Sequence, residues 1–411
     1  MRRTPLFLLA SAVVLTACGA DAPPPVVPPP PPVPIATAVT PPPPPPAPMN
    51  PFAQPSTLPY QAPAFDHIKD ADYEPAIEDA MKAHLVEVDA IAASPEPPTF
   101  DNTIVAMERS GLYLTRAASV FFAMTKANTN DTLQSVEERL APKLAAHDDT
   151  IHLNPKLFAR VEAVYAHRDV LDPEAKHLVE RIHQIFVRAG AKLSEADQAT
   201  MRALNKEESS LSTAFEKQLL AATKDGALVT GDPSDLAGLS DGELATAAEA
   251  AKARKLEGKW VLPLQNTTQQ PAQVELQKHS TRERLFEASI RRAEHGDAND
   301  TRTIVQRLAE LRSQKAKLLG YQTYAAYALE DQMAGTPEKA IKLMTDMAPA
   351  AVAKARGEAA KMQALADKQS HGARRALGPA DWQFYAEQVR KAEYALDDEQ
   401  VKPYLELDRV L

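Results

Sequence analysis

The sequence predicts a mainly α-helical protein with one small β insert, and three observations carry that expectation. Only 14 of 411 residues are glycine and alanines abound, which favours helix over sheet. Charge-rich runs repeat their apolar residues at helical spacing, as Ile304, Leu308, Leu311 and Leu318 do. The third is the punctuation from Asn299 to Met333. Asp300 or Thr301 offers a side-chain oxygen to a backbone N–H that lacks an intrahelical partner, and Gly320 stands where a left-handed residue closes the helix. A second helix, with Tyr324, Tyr327, Leu329 and Met333, runs to Gly335. Thr336-Pro337-Glu338 opens a third with a cap, a first-turn proline and an acid near the positive end of the dipole.

The chain begins differently. Arg2 and Arg3 precede an apolar run from Leu6 to Leu15, followed by Thr16-Ala17-Cys18-Gly19. This describes a secretory signal over residues 1–18, too short to span a bilayer. Cys18 is the only cysteine and sits where a bacterial lipoprotein carries its acylated residue, so lipidation is expected there. An ordinary signal peptide with a chance cysteine is the alternative. Two or more acyl chains anchor stably where one does not. Gly19 in place of Asp gives no inner-membrane retention signal, so an outer-membrane, periplasm-facing location is expected. With Cys18 acylated, no thiol remains for disulfide, zinc or nucleophilic chemistry. Residues 19–63 hold more than half of the 35 prolines and read as a disordered polyproline II tether. Its reach is on the order of 100 Å. A PxxP-type ligand is the lesser reading of the same stretch.

A helical domain is expected over residues 64–225. Tyr73-Glu74-Pro75 leads into a helix carrying Ile77, Met81, Leu85, Val88 and Ile91, which Pro95-Glu96-Pro97-Pro98 breaks. Thr99 starts the next, and further helices read from Leu133 to about His147, Pro155 to Tyr165, Pro173 to Ala189 and Glu195 to about Ala222. Short loops make neighbours antiparallel. Residues 226–270 form a small α/β insert, with β-like runs at Ala227–Thr230 and Lys259–Leu264 around a helix from Asp241 to Leu256. Pro263 confines the second run to an edge. Helices resume at Pro271, and Pro349 is expected to kink or split the helix begun at Pro337.

A net charge of −9 argues against nucleic acid as a partner. Arg282, Arg284, Arg291 and Arg292 cluster, but Glu283, Glu287 and Glu294 interleave them, which predicts a solvated helix face. Phe121, Phe122, Tyr324 and Tyr327 lie at helical spacing and read as core.

Several stretches are also familiar as wording. Arg312 is followed by Ala316 and Leu318-Leu319-Gly320-Tyr321, then by Tyr324-Ala325. Pro98-Thr99-Phe100-Asp101-Asn102-Thr103-Ile104, Met107-Glu108-Arg109-Ser110-Gly111, Ala141-Pro142-Lys143-Leu144 with His147, and Asn154-Pro155-Lys156-Leu157-Phe158 add to it. Together they resemble the thimet-oligopeptidase and peptidyl-dipeptidase family of zinc metallopeptidases, most closely its bacterial peptidyl-dipeptidase branch, over nearly all of residues 65–411. The resemblance implies the multi-helical N-terminal domain of a zincin-type oligopeptidase, with residues 271–411 as the first helices of the catalytic domain. It also implies short unfolded peptides as substrates, admitted to a channel between two helical halves, and a zinc cofactor.

Such an enzyme carries His-Glu-x-x-His, because two imidazoles a helical turn apart meet on one metal while the Glu serves the bound water. None of the ten histidines has another four residues later, and none is followed directly by Glu. No catalytic or metal residue is therefore assigned. Glu174-x-x-His177 and Glu180-x-x-His183 have di-iron spacing, but lie on one helix and turn around it without converging. His147 and His152 bracket Asp148 and Asp149, which suggests a helix end and turn. No Gly-x-Ser-x-Gly, Walker loop or dinucleotide turn appears.

Two functions compete on this evidence. One is a peptidyl-dipeptidase-like zinc peptidase represented by its N-terminal part, inactive alone, whose missing C-terminal half supplies the zinc. The other is a non-catalytic, membrane-tethered helical module that binds peptides or a partner. The first is preferred, because the last helices end on Val410 and Leu411 with an apolar patch expected to lack its packing surface.

Overall fold

The computed structural model describes residues 50–370, 376–394, 401 and 404–410. Cys18, the tether up to residue 49 and His371 lie outside the described residues. The chain is packed from Asn50 onward. Phe52 is 2% exposed and its ring lies 5.5 Å from Tyr73, while Arg116 donates to the Phe52 carbonyl at 2.8 Å. The globular body thus starts ahead of the boundary expected near Phe65, because one aromatic side chain anchors an otherwise proline-rich approach.

The helices follow in order: α1 (Asp70–Ala92), a π-helical segment Phe100–Val105 running into α2 (Ala106–Arg109), α3 (Leu112–Ala127), α4 (Asp131–His152), α5 (Pro155–Ala166), α6 (Pro173–Ala189) and α7 (Glu195–Asp225). Their starts follow the capping rules. Thr99 and Asn102 bond each other's backbone N–H reciprocally, at 3.1 and 2.8 Å, and Asn130, Asn154, Asp172 and Ser194 each accept from the first turn they precede. The insert holds β1 (Leu228–Thr230), α8 (Asp241–Lys252) and β2 (Trp260–Leu262). β1 and β2 pair antiparallel, Leu228 opposite Leu262 and Thr230 opposite Trp260, and β2 stops just before Pro263. Then come α9 (Asn266–Glu275), α10 (His279–Ile290), α11 (Arg302–Leu318), α12 (Tyr324–Leu329), α13 (Pro337–Gln369), α14 (Trp382–Tyr394) and α15 (Leu407–Val410).

Four prolines lie inside helices without ending them: Pro75, Pro142, Pro271 and Pro349. A proline frees the carbonyl four residues earlier. Those carbonyls belong to Ala71, Glu138, Thr267 and Thr345, all exposed residues, so solvent can take each one. This is why α1 and α9 start before their prolines and why Pro349 does not split α13, splitting being one of the two outcomes expected of it. The sequence spacing also placed Met333 on the helix of Tyr324. The structure ends α12 at Leu329 and leaves Met333 fully exposed.

Three apolar clusters hold the body together. Phe52, Tyr73, Ile77, Phe121, Leu133 and Leu140 join α1, α3 and α4. Val88, Ile104, Leu157, Val161, Val179, Ile182 and Phe186 join α1, α5 and α6. Leu228, Leu236, Leu262, Leu264, Leu276 and Leu285 close the insert over α9 and α10. Helix α7 is the common strut, packing along α4 on one side and α11 on another. Glu207 takes two bonds from Arg307, at 2.6 and 2.9 Å, and Glu208 binds Arg312 and Lys315 at 3.0 and 2.6 Å. Tyr327 is buried, as read, and so is Phe121, with Phe122 packed beside it.

Candidate functional site

A cleft of about 420 Å³ runs between α6 and the segment around α12, with Tyr165, His183, Arg188, Tyr321 and Glu330 on its walls. Arg188 is 4% exposed and organises it. It donates to Glu330 Oε2 at 2.6 Å, lies 3.4 Å from Asp331 Oδ1, and covers the Tyr327 ring at 4.4 Å. The Tyr321 hydroxyl donates to the same Glu330 oxygen at 2.5 Å. Burial first, and then this bond, push the Tyr321 phenol up to about 12, so it stays a donor at any physiological pH. His183 stacks on Tyr165 at 3.9 Å, and burial together with Lys192 lowers its pKa and keeps it neutral. Glu180 turns to Arg168 at 3.2 Å. Of the two Glu-x-x-His pairs of α6, His177, Glu180 and His183 all line this cleft, but among the described residues they form no metal-holding group. Lys192 pairs outside the cleft with Glu162 at 3.1 Å, while Arg188, Tyr321 and Glu330 join the α6 wall to the segment around α12.

A second centre corrects the reading of the arginine cluster. Arg282 is no part of a solvated face: it is 2% exposed. It donates to Asp381 Oδ1 at 2.6 Å and to the Leu276 and Gln277 carbonyls at 2.8 and 2.9 Å, with its guanidinium 4.0 Å from the Phe384 ring centre. His279 Nδ1 meets the same Asp381 oxygen at 2.7 Å. Burial works to raise the Asp381 pKa, but the bonds from Arg282 and His279 outweigh it and hold the carboxyl below its ordinary range. The sequence signal was present but small: Thr281 and Leu285 flank Arg282 at positions that turn out buried, while the interleaved acids dominated the pattern.

The third group sits where α1 meets α4. Helix α4 runs through His147, Asp148 and Asp149 and ends at His152, so the expected helix end falls at the second histidine and not between the two. Ser110 donates its hydroxyl to the Met107 carbonyl at 2.7 Å, so its oxygen accepts from His84 Nε2 at 3.1 Å. His84 Nδ1 must then accept, and His147 Nε2 donates to it at 3.0 Å. His147 Nδ1 is left a buried acceptor without a hydrogen-bond partner. Burial, then the His84 neighbour, lower the His147 pKa to about 4. Two residues on, Asp149 is 5% exposed and accepts from Asn205 of α7 at 2.5 Å. Burial raises its pKa to about 6. His152 shows the opposite balance, its burial outweighed by Asp148, which raises its pKa.

Among the described residues, no set of three or more His, Cys, Asp or Glu side chains is placed to hold a metal ion. The donors present among the described residues do not fit a zinc ion.

Comparison with known proteins identifies what kind of scaffold this is. Residues 272–411 match the model of peptidase family M3. Over 365 residues, 88% of this chain and 53% of the relative, it is 52% identical to the dipeptidyl carboxypeptidase of Escherichia coli (strain K12). The chain is a relative of the M3 peptidases. It is also 50% identical over 364 residues to the dipeptidyl carboxypeptidase of Salmonella typhimurium, covering 88% of this chain and 53% of that one. Its identity to oligopeptidase A of Escherichia coli is 25% over 356 residues, 85% of this chain and 52% of the relative. The chain spans about half the length of the curated relatives it matches. The M3 match opens within α9, so Arg282, Asp381 and Glu330 fall inside it, while Arg188 and the histidine relay lie on the helices that precede it.

Proposed function

We propose that this chain is the N-terminal part of a peptidyl-dipeptidase-like zinc peptidase that acts on short peptides, and that it is inactive alone. The observation that carries the reading is 52% identity to a dipeptidyl carboxypeptidase over 88% of the chain. The absence of a His-Glu-x-x-His from the sequence supports inactivity, since hydrolysis by a metal-bound water needs those ligands and that base. On this reading the zinc ligands come from a C-terminal half outside these 411 residues, and α1–α7 supply a wall of the peptide channel. The sequence before Asn50 supports attachment of the product to the outer membrane through acylated Cys18, on the periplasmic side. The test is release of C-terminal dipeptides from short peptides by the purified chain with added zinc. No turnover is expected, and chelator-sensitive turnover overturns inactivity. For the anchor, Cys18→Ser is expected to move the protein from the membrane fraction to the soluble one, and unchanged fractionation overturns it.

A further inference from the structure

Beyond the three centres, the least explained feature is the first half of α13. Every residue from Ile341 to Lys354 is exposed, almost four helical turns without a buried position. The composition is not that of a solvated helix. Ile341, Met344, Ala348 and Val352 recur at helical spacing along one stripe, and Leu343 and Met347, four apart, widen it. Ile341 is 55% exposed, Leu343 62%, Met344 61%, Met347 62% and Val352 45%. The polar face is self-contained, with Lys342 bonded to Asp346 at 2.8 Å and Lys354 paired with Glu358. Between Ile341 and Lys354 each charged residue therefore has its partner on the helix itself. Farther along, Met362 and Ala366 are buried against α14, so the same helix is core at one end and bare at the other.

A helix that packs one end and leaves an apolar stripe bare at the other marks an interface. Its occupant is narrowed by two findings. The bare stripe lies inside the segment that matches the M3 family, and the relatives that share this segment are about twice as long as the stretch they share. We propose that residues 341–352 of α13 are the seat of the remaining part of the M3 domain, which lays an apolar surface on Ile341, Met344, Met347 and Val352. This rests on the reading of the chain as part of a longer peptidase. The flexible thioethers of Met344 and Met347 suit a surface that must fill against an incoming helix.

The experiment joins the full chain to the unmatched second half of the Escherichia coli dipeptidyl carboxypeptidase and follows a Met344→Cys thiol by mass spectrometry of its own peptide, so that Cys18 does not interfere. Alkylation is expected to be at least ~10-fold slower in the fusion than in the 411-residue chain, the mark of a docked segment. As a second readout, Met344→Lys with Met347→Lys is expected to lower the melting temperature of the fusion and leave that of the 411-residue chain unchanged. Equal labelling of chain and fusion overturns the proposal, as does slow labelling of the chain alone with concentration-dependent dimerisation, which would make a second copy the occupant. Zinc-dependent dipeptide release by the fusion is scored separately. Release with an unprotected thiol rejects the surface and keeps the function, whereas a protected thiol without release does the reverse.

Discussion

Replacing Asp149 by Asn changes one buried charge and little else, and its effect on stability has a predictable pH dependence. The carboxyl is 5% exposed, accepts one bond from Asn205, and has its pKa raised to about 6. A raised folded-state pKa means that the group's stabilising contribution is complete below its unfolded value and is lost as pH rises through 6. With about 1.4 kcal/mol per pKa unit and an unfolded value near 4, ionisation costs the fold at most roughly 3 kcal/mol at neutral pH. About a third of that cost is already present at ~pH 4.5, so the change between ~pH 4.5 and ~7.5 is at most about 2 kcal/mol. The Asn variant keeps the oxygen that Asn205 donates to but cannot ionise. Any fixed cost of burying its amide is the same at both pH values, so the difference between the two conditions isolates the charge. Urea unfolding followed by circular dichroism should show the variant gaining on the wild type by about 1–2 kcal/mol between those conditions. A wild-type-to-variant difference that stays constant with pH, or moves the other way, refutes the reasoning. His147 on the same helix pulls oppositely. Its pKa is depressed to about 4, so its contribution is present above about pH 6.5 and lost as pH falls. The two titrations overlap, so wild-type stability should vary little from pH 4.5 to 6.5, and Asp149→Asn should expose the acid lability that His147 causes.

Other outcomes follow from the same geometry. Arg282→Met should destabilise by up to about 3–5 kcal/mol, since it removes the guanidinium partner of the buried Asp381 carboxylate and leaves His279 and the Gly378 N–H, and thermal melting would measure it. Replacing both Arg282 and Asp381 with apolar residues should recover part of that loss, as a double-mutant cycle would show. Gly238→Ala should cost several kcal/mol, because the residue sits at φ +107° and an added Cβ would stand 2.0 Å from the Glu275 carbonyl oxygen. The same substitution at Gly296 (φ +73°), where nothing lies within 4 Å, should cost only about 1–2 kcal/mol of backbone strain. A comparison of the two melting temperatures checks the difference.

Helix existence was readable because capping is local chemistry: Asn154-Pro155 and Asp172-Pro173 each hold their start signal within three residues. Gly320 was readable for the same reason, with φ +83° and the Tyr321 N–H returning to Ala316. Helix ends failed where the deciding fact was tertiary. Whether Pro75, Pro271 or Pro349 breaks a helix depends on whether the carbonyl it frees faces solvent, which no window of sequence records. The charged centres failed likewise. Arg282 meets Asp381 across 99 residues and Asp149 meets Asn205 across 56, distances at which charge patterning is blind. The family likeness was legible in local wording such as Leu318-Leu319-Gly320-Tyr321, and the match of residues 272–411 to peptidase family M3 agrees with it. The exposed apolar stripe on the first half of α13 came from the structure, and the patch expected at Val410 and Leu411 falls on side chains outside the described residues.

The central proposal is that the zinc ligands of this peptidase scaffold lie outside its 411 residues. Zinc content of the purified 411-residue chain, measured after dialysis against zinc and then against buffer, tests it most directly. Well under one equivalent per chain is the predicted result. One tightly held equivalent, lost on substituting His84 and His147 or any other pair of its histidines, would contradict the account.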